Sequence, residues 1–187
     1  MFHVKHLEAI KAQLKPIVAG CVLHGDFTLA SGKKSDLYFD GRLVTLSPQG
    51  LVLVAEAVLQ MIDGRGIAAV GGMAVGADPI TGGVVALAGQ QDKPLTGFIV
   101  RKEVKAHGTG RQVEGPRLPA GSRVVLVEDV ITTGGSSLKA VEAVRRELGA
   151  EPVAVIALLD RLEGGAEALA AAGVELWPIF TRRDFDG

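Results

Sequence analysis

With 187 residues, 48% of them hydrophobic, and a mean hydropathy of +0.31, the chain is long enough for one well-buried core and short for two, so a single domain over residues 1–187 is expected. A net charge of −1 and 4% aromatic residues give no basic footprint and no base-stacking platform, which argues against a nucleic-acid partner. The lone Cys21 excludes an intrachain disulfide and fits a reducing cytoplasm, with the thiol as small core filler; no signal peptide or membrane anchor is visible.

In chain order, Val4 to Ala19 has the pattern of an amphipathic helix ending at Gly20. Phe27 to Leu29 and Leu37 to Phe39 read as short strands around the polar turn Ser31-Gly32-Lys33-Lys34. Ser47-Pro48 supplies an N-cap and a first helical position for a helix to about Ile62. Then follow a strand at Ile67 to Val70, a helix at Asp78 to Ala88, and strands at Thr96 to Val100 and Val124 to Val127. A helix at Leu138 to Leu148 and a last core strand at Val153 to Leu159 complete the pattern. Strands interleaved with helices predict an α/β fold, a doubly wound, mostly parallel sheet flanked by helices, with ligands outside the carboxyl ends of its strands.

The most informative residues are Val127-Glu128-Asp129-Val130-Ile131-Thr132-Thr133-Gly134-Gly135-Ser136. Two acids end a buried strand, and hydroxyls with a glycine pair turn the chain into a helix N-terminus, where free N–H groups and the helix dipole attract anions. The spacing is not that of a P-loop, which needs a lysine after its glycines, nor of a dinucleotide fingerprint, whose acid comes about 20 residues later. Carboxylates beside a phosphate cup suit a sugar phosphate, with ribose hydroxyls and a divalent cation on the acids. The plain alternative is an acidic strand end followed by an ordinary glycine turn.

This stretch resembles the phosphoribosyl pyrophosphate (PRPP) motif of the type I phosphoribosyltransferases. The resemblance implies a parallel α/β core, a small hood formed by the N-terminal region and residues near the C-terminus, and Mg2+ brought through PRPP with assistance from Glu128 and Asp129. It assigns Glu128, Asp129, Val130, Ile131, Thr132, Thr133, Gly134, Gly135 and Ser136 to PRPP.

A second constellation, Arg101-Lys102-Glu103-Val104-Lys105-Ala106-His107-Gly108-Thr109-Gly110-Arg111, lies in about twenty residues of little apolar periodicity. Its cations would repel one another unless solvated or met by a polyanion, and Gly108 and Gly110 allow hinge-like freedom. It reads either as a solvated charge cluster or as a lid over pyrophosphate. The R-K-x-x-K-x-H-G spacing resembles the catalytic loop of the orotate phosphoribosyltransferases, which implies a homodimer whose loop serves the neighbouring subunit. Arg101, Lys102, Lys105 and His107 would then bind pyrophosphate, with Lys105, His107 and Asp129 catalytic. Phe27 to Asp40 resembles the same family's F-T-L-x-S-G segment, and Leu159-Asp160-Arg161 its orotate-binding arginine. Tyr38, Phe39, Thr132 and Arg161 would thus contact orotate.

Each residue also has a plainer role. Tyr38 and Phe39 alternate in direction on a strand, so one of them should be core, and Arg161 could pair with Asp160 or Glu163. Two departures from the better-known bacterial form stand out: Ala30 replaces a lysine, and Val75-Gly76 replaces a tyrosine-lysine pair. The resemblance implies transfer of phosphoribose from PRPP to orotate in pyrimidine biosynthesis, on small-molecule substrates away from any membrane. A purine or other base phosphoribosyltransferase of the same fold and a non-catalytic PRPP-sensing regulator are the alternatives.

Overall fold

The computed structural model describes residues 2–28, 34–103 and 110–186. Helix α1 (Phe2–Ala19) leads into an antiparallel pair, β1 (Val22–Thr28) and β2 (Lys34–Phe39), which forms a sheet of its own. After the short α2 (Arg42–Thr45) comes α3 (Pro48–Ile62), whose Ser47 N-cap accepts the Gly50 N–H at 3.1 Å, as the Ser-Pro start predicts. The remaining elements are β3 (Ala69–Met73), α4 (Ala77–Gln90), β4 (Thr96–Val100), β5 (Val113–Glu114), β6 (Arg123–Ile131), α5 (Gly135–Leu148), β7 (Glu151–Asp160), α6 (Gly165–Ala171) and β8 (Glu175–Thr181).

Six strands form the main sheet in the order β5-β4-β3-β6-β7-β8, parallel throughout except for β5 against β4. Alternation along β6 divides the core in two. Val125 and Val127 join the cluster containing α1, α3 and α4, while Val124 and Leu126 join the one containing α5 and Leu169 of α6. This is the doubly wound architecture, and strand order reverses between β3 and β6, where such sheets open a crevice for ligands.

The structure corrects several boundaries. Strand β6 does not end at Val127; its ladder with β7 continues through Glu128↔Ala157 to Ile131↔Asp160, so the two acids lie within the strand. Helix α5 begins at Gly135, three residues before Leu138, which places Ser136 and Ser137 in its first turn. Val153 to Leu159 is not the last core strand, because β8 pairs beyond it through Ala154↔Glu175 to Asp160↔Thr181. The predicted turn at Ser31 to Lys33 lies outside the described residues, and Lys34 already belongs to β2.

Candidate active site

A cavity of about 410 Å3 opens at the carboxyl ends of β3 and β6. One wall is Tyr38, Phe39, Asp40, Gly41 and Arg42, where β2 runs into α2. A second is the turn Met73, Ala74, Val75 and Gly76 between β3 and α4, which contains a cis Ala74–Val75 peptide. The third comprises Glu128, Asp129, Val130 and Ser136, with Lys102 completing the rim.

Glu128 is 8% exposed, and its Oε2 accepts hydrogen bonds from Ser137 Oγ at 2.9 Å and Ser136 Oγ at 3.4 Å. Burial pushes its carboxyl up to about 7 against the lowering effect of Ser137, and neighbouring Asp129 raises it further. Burial likewise raises Asp129, whose Oδ1 accepts the Val130 N–H at 2.9 Å. Two glycines make room for this carboxylate. A Cβ on Gly41 would stand 2.7 Å from Asp129 Cβ, and one on Gly76 would stand 2.7 Å from Asp129 Oδ1. Three chain segments therefore close on a single side chain because two of them lack side chains there.

Beyond Asp129 the chain turns through Thr132 and Thr133 to Gly134, which is left-handed at φ 79° and starts α5. No side chain caps this helix and no acid occupies its first turn, so its N–H groups and dipole remain available to an anion. The acid pair and this open helix start are thus close together on the backbone.

The other predicted residues are distributed as follows. Phe39 is core at 7% exposure while Tyr38 is 39% exposed, which gives the expected alternation, although both border the cavity. Ile131 is buried in the α5-side core; Thr132 is half-buried and Thr133 exposed. Arg101 pairs with Glu114 at 3.1 Å and is absent from the cavity wall. Arg161, 6% exposed, also lies outside that wall. Its Nε is 3.0 Å from Glu163 Oε1, close enough for an ion pair but without hydrogen-bond alignment, and the Arg161 backbone N–H donates to Ile131 O at 3.0 Å. Lys105 and His107 lie outside the described residues.

The sequence reading missed Asp40, Gly41 and Arg42 as a cavity wall. The available signal was a charged pair around glycine directly after a strand. Arg42 grips Asp40 through Nε–H to Oδ1 and Nη2–H to Oδ2, both 2.8 Å, and this grip holds the Asp40 carboxyl below the usual range.

Residues 47–174 match the phosphoribosyl transferase domain family. An orotate phosphoribosyltransferase of Rhodopirellula baltica is 52% identical over 188 residues, covering 95% of this chain and 96% of that protein. The chain belongs to the orotate phosphoribosyltransferase family. Two solved structures of the Mycobacterium tuberculosis orotate phosphoribosyltransferase resemble this family member closely. One, in complex with Fe(III) dicitrate, has a TM-score of 0.81 at 36% identity, over 95% of this chain and 99% of that one. The other, in complex with PRPP, has a TM-score of 0.76 at 32% identity, over 94% and 98%. The family's parallel-dominated sheet is the one found here. Among the described residues, no group of three or more His, Cys, Asp or Glu side chains could hold a metal ion, and no helix is long and apolar enough to cross a membrane.

Proposed function

We propose that this chain transfers the 5-phosphoribosyl group from PRPP to N1 of orotate, giving orotidine 5′-monophosphate and pyrophosphate in pyrimidine biosynthesis. The observation that carries this reading is the Glu128-Asp129 pair running directly into the uncapped start of α5, in a chain 52% identical to an orotate phosphoribosyltransferase. We read residues 1–187 as one such domain, with the separate β1–β2 sheet contributing to the hood.

The first turn of α5, with Thr132 to Ser136, receives the 5′-phosphate. Glu128 and Asp129 accept ribose hydroxyls, which orients the anomeric carbon toward the base. Arg101, Lys102, Lys105 and His107 gather at pyrophosphate, where negative charge grows as the glycosidic carbon becomes oxocarbenium-like. Lys105 stabilises the leaving group and His107 supports it. Catalysis then rests on positioning and electrostatics, without a covalent intermediate. Tyr38 and Phe39 flank the pyrimidine, Thr132 touches it, and the planar guanidinium of Arg161 grips its carboxylate or ring carbonyl.

Mg2+ fits as a guest carried by PRPP: two adjacent carboxylates face the cavity, and magnesium is commonly held by one or two carboxylates plus substrate phosphates. When bound, it neutralises charge on the pyrophosphate. Cys21, half-buried, with its thiol raised by burial and then by the Asp40 charge, is an unreactive packing residue suited to the cytoplasm.

The test is turnover of Mg-PRPP with orotate, uracil, adenine, hypoxanthine and xanthine in separate reactions. Efficient use of orotate alone is expected, and equal or better use of a purine would overturn the assignment. Arg161→Leu should raise the KM for orotate far more than that for PRPP, since a charged hydrogen bond contributes roughly 1.5–3 kcal/mol. We assign the loop to the neighbouring site of a homodimer. Mixing inactive Lys105→Ala and Asp129→Asn subunits should then restore about a quarter of wild-type activity, the value set by two-fold symmetry. No recovery after verified exchange would place Lys105 over its own subunit's pocket.

A further inference from the structure

The described cavity wall carries three carboxylates, Asp40, Glu128 and Asp129, against two cations, Arg42 and Lys102. A sugar diphosphate brings further negative charge, so this wall needs its cations directed at the ligand. Lys102 stands at the foot of the cationic loop. Arg42 belongs to none of the motifs that suggested the function.

Arg42 has the attributes of a prepared anion contact. Its side chain is 59% exposed at the cavity, so it pays no burial cost to remain there as a cation. The Asp40 carboxylate holds it by one edge, through Nε and Nη2, leaving Nη1 without a hydrogen-bond partner among the described residues. A backbone bond from the Arg42 N–H to Asp40 Oδ1 at 3.1 Å fixes the same turn. That turn reaches the acid pair only because Gly41 leaves room for Asp129. A planar donor fork oriented in advance loses little side-chain freedom when it meets a phosphate. The opposing wall, Val75 and Gly76, supplies no charged side chain.

We propose that Arg42 is a pyrophosphate-contacting residue, held in position by Asp40, and that it supplies charge which the Val75-Gly76 turn lacks. This rests on the reaction proposed above, with the 5′-phosphate on α5 and the diphosphate on the side of the cavity shared by Arg42 and Lys102. The competing role is purely structural, the Asp40–Arg42 pair merely shaping the β2–α2 corner.

Forward and reverse kinetics of Arg42→Gln separate the two. The KM for PRPP and that for pyrophosphate in the reverse reaction should each rise at least about tenfold, as expected for loss of a charged hydrogen bond. The KM values for orotate and orotidine 5′-monophosphate should stay within about twofold, because neither carries the diphosphate, and the melting temperature should not move. Unchanged PRPP and pyrophosphate constants, or an equal rise in all four, would overturn the proposal. If Arg42→Gln does not fold, Arg42→Lys decides: it keeps the charge and loses the fork, so a smaller rise confined to PRPP and pyrophosphate is expected, and no selective rise refutes the role. Calorimetric titration of wild type and variant with Mg-pyrophosphate gives a readout independent of turnover. Wild-type protein that binds pyrophosphate through Arg42 yet does not use orotate would sink the proposed reaction while leaving this contact standing.

Discussion

Two neighbouring turns, one after β3 and one after β6, carry parallel strands into helices at the same end of the sheet, yet they are built oppositely. The β6 side is rich in chemistry: two acids near the end of the strand, then two threonines, a left-handed Gly134, and a helix whose first turn holds no acid. The β3 turn offers backbone and space. Val75 stands 67% exposed, Gly76 yields to Asp129, and the first turn of α4 contains its own acid, Asp78. Asp78 complements the dipole of α4 from within, whereas no side chain of α5's own first turn does so. Similar topology thus gives one helix start left open by its own side chains and one that makes room for its neighbour.

The strongest challenge to this contrast is Asp129→Asn, which keeps shape and removes charge from the β6 side. A loss of kcat/KM on the order of a hundredfold is expected, with weakened magnesium dependence. Wild-type kinetics across a magnesium titration would show that the acid pair does not organise the substrate.

Next comes the pH response of Glu128 in the ligand-free protein. Its folded-state pKa of about 7 lies above the ordinary 4.5, so the folded state binds this proton more tightly. The resulting stability is fully present below pH 4.5 and is lost as pH rises through about 7, a change of up to roughly 3 kcal/mol. Denaturant titrations from pH 5 to 8 should show wild-type stability falling and Glu128→Gln falling less. Asp129, also raised by burial, would leave a residual slope in the variant. Parallel curves would mean that Glu128 does not titrate this way.

Two glycines, one in each turn, respond differently to an added methyl group. Gly76→Ala forces a methyl to 2.7 Å from Asp129 Oδ1 and should cost about 1–3 kcal/mol, with activity lost because the acid is displaced. A Cβ on Gly135 meets nothing nearer than Thr133 Oγ1 at 4.0 Å, so Gly135→Ala should keep or raise stability, by up to about 1 kcal/mol, while weakening PRPP binding in the cup. Equal melting shifts in the two variants would erase the distinction. The smallest effect is expected for Asp78→Asn: a stability change of no more than about 1 kcal/mol and an unchanged KM for PRPP. A clear rise in that KM would mean that the α4 start also takes part in phosphate binding.

The repeating βα pattern and the Glu128 to Ser136 run were legible because both are local: hydrophobic periodicity in the first, acids adjoining a helix start in the second. What escaped was tertiary or too short. The polarity of Glu128 and Asp129 concealed that β6 continues to Ile131, since hydrogen-bond pairing with β7, not side-chain character, extends it. Pro178 interrupts the pattern of β8, yet an edge strand tolerates proline. Two-residue β5 offers no period to detect. Asp40, Gly41 and Arg42 become a cavity wall only when the end of β2 meets the end of β6, across almost ninety positions of sequence.

The far end of α5 extends this logic. Glu147 Oε2 accepts the N–H groups of Gln112 and Val113, both at 2.9 Å, and Arg146 reaches the Gln112 side chain at 3.0 Å. Gln112 in turn exchanges hydrogen bonds with the Arg101 backbone, at 2.8 and 2.9 Å, so the two feet of the cationic segment are tied to each other and to this helix. The helix that starts beside the acid pair therefore ends at the segment's moorings. Its 14 residues make a rod of about 21 Å, and that length works as a ruler: the separation between the open helix start and the moorings is built into the backbone.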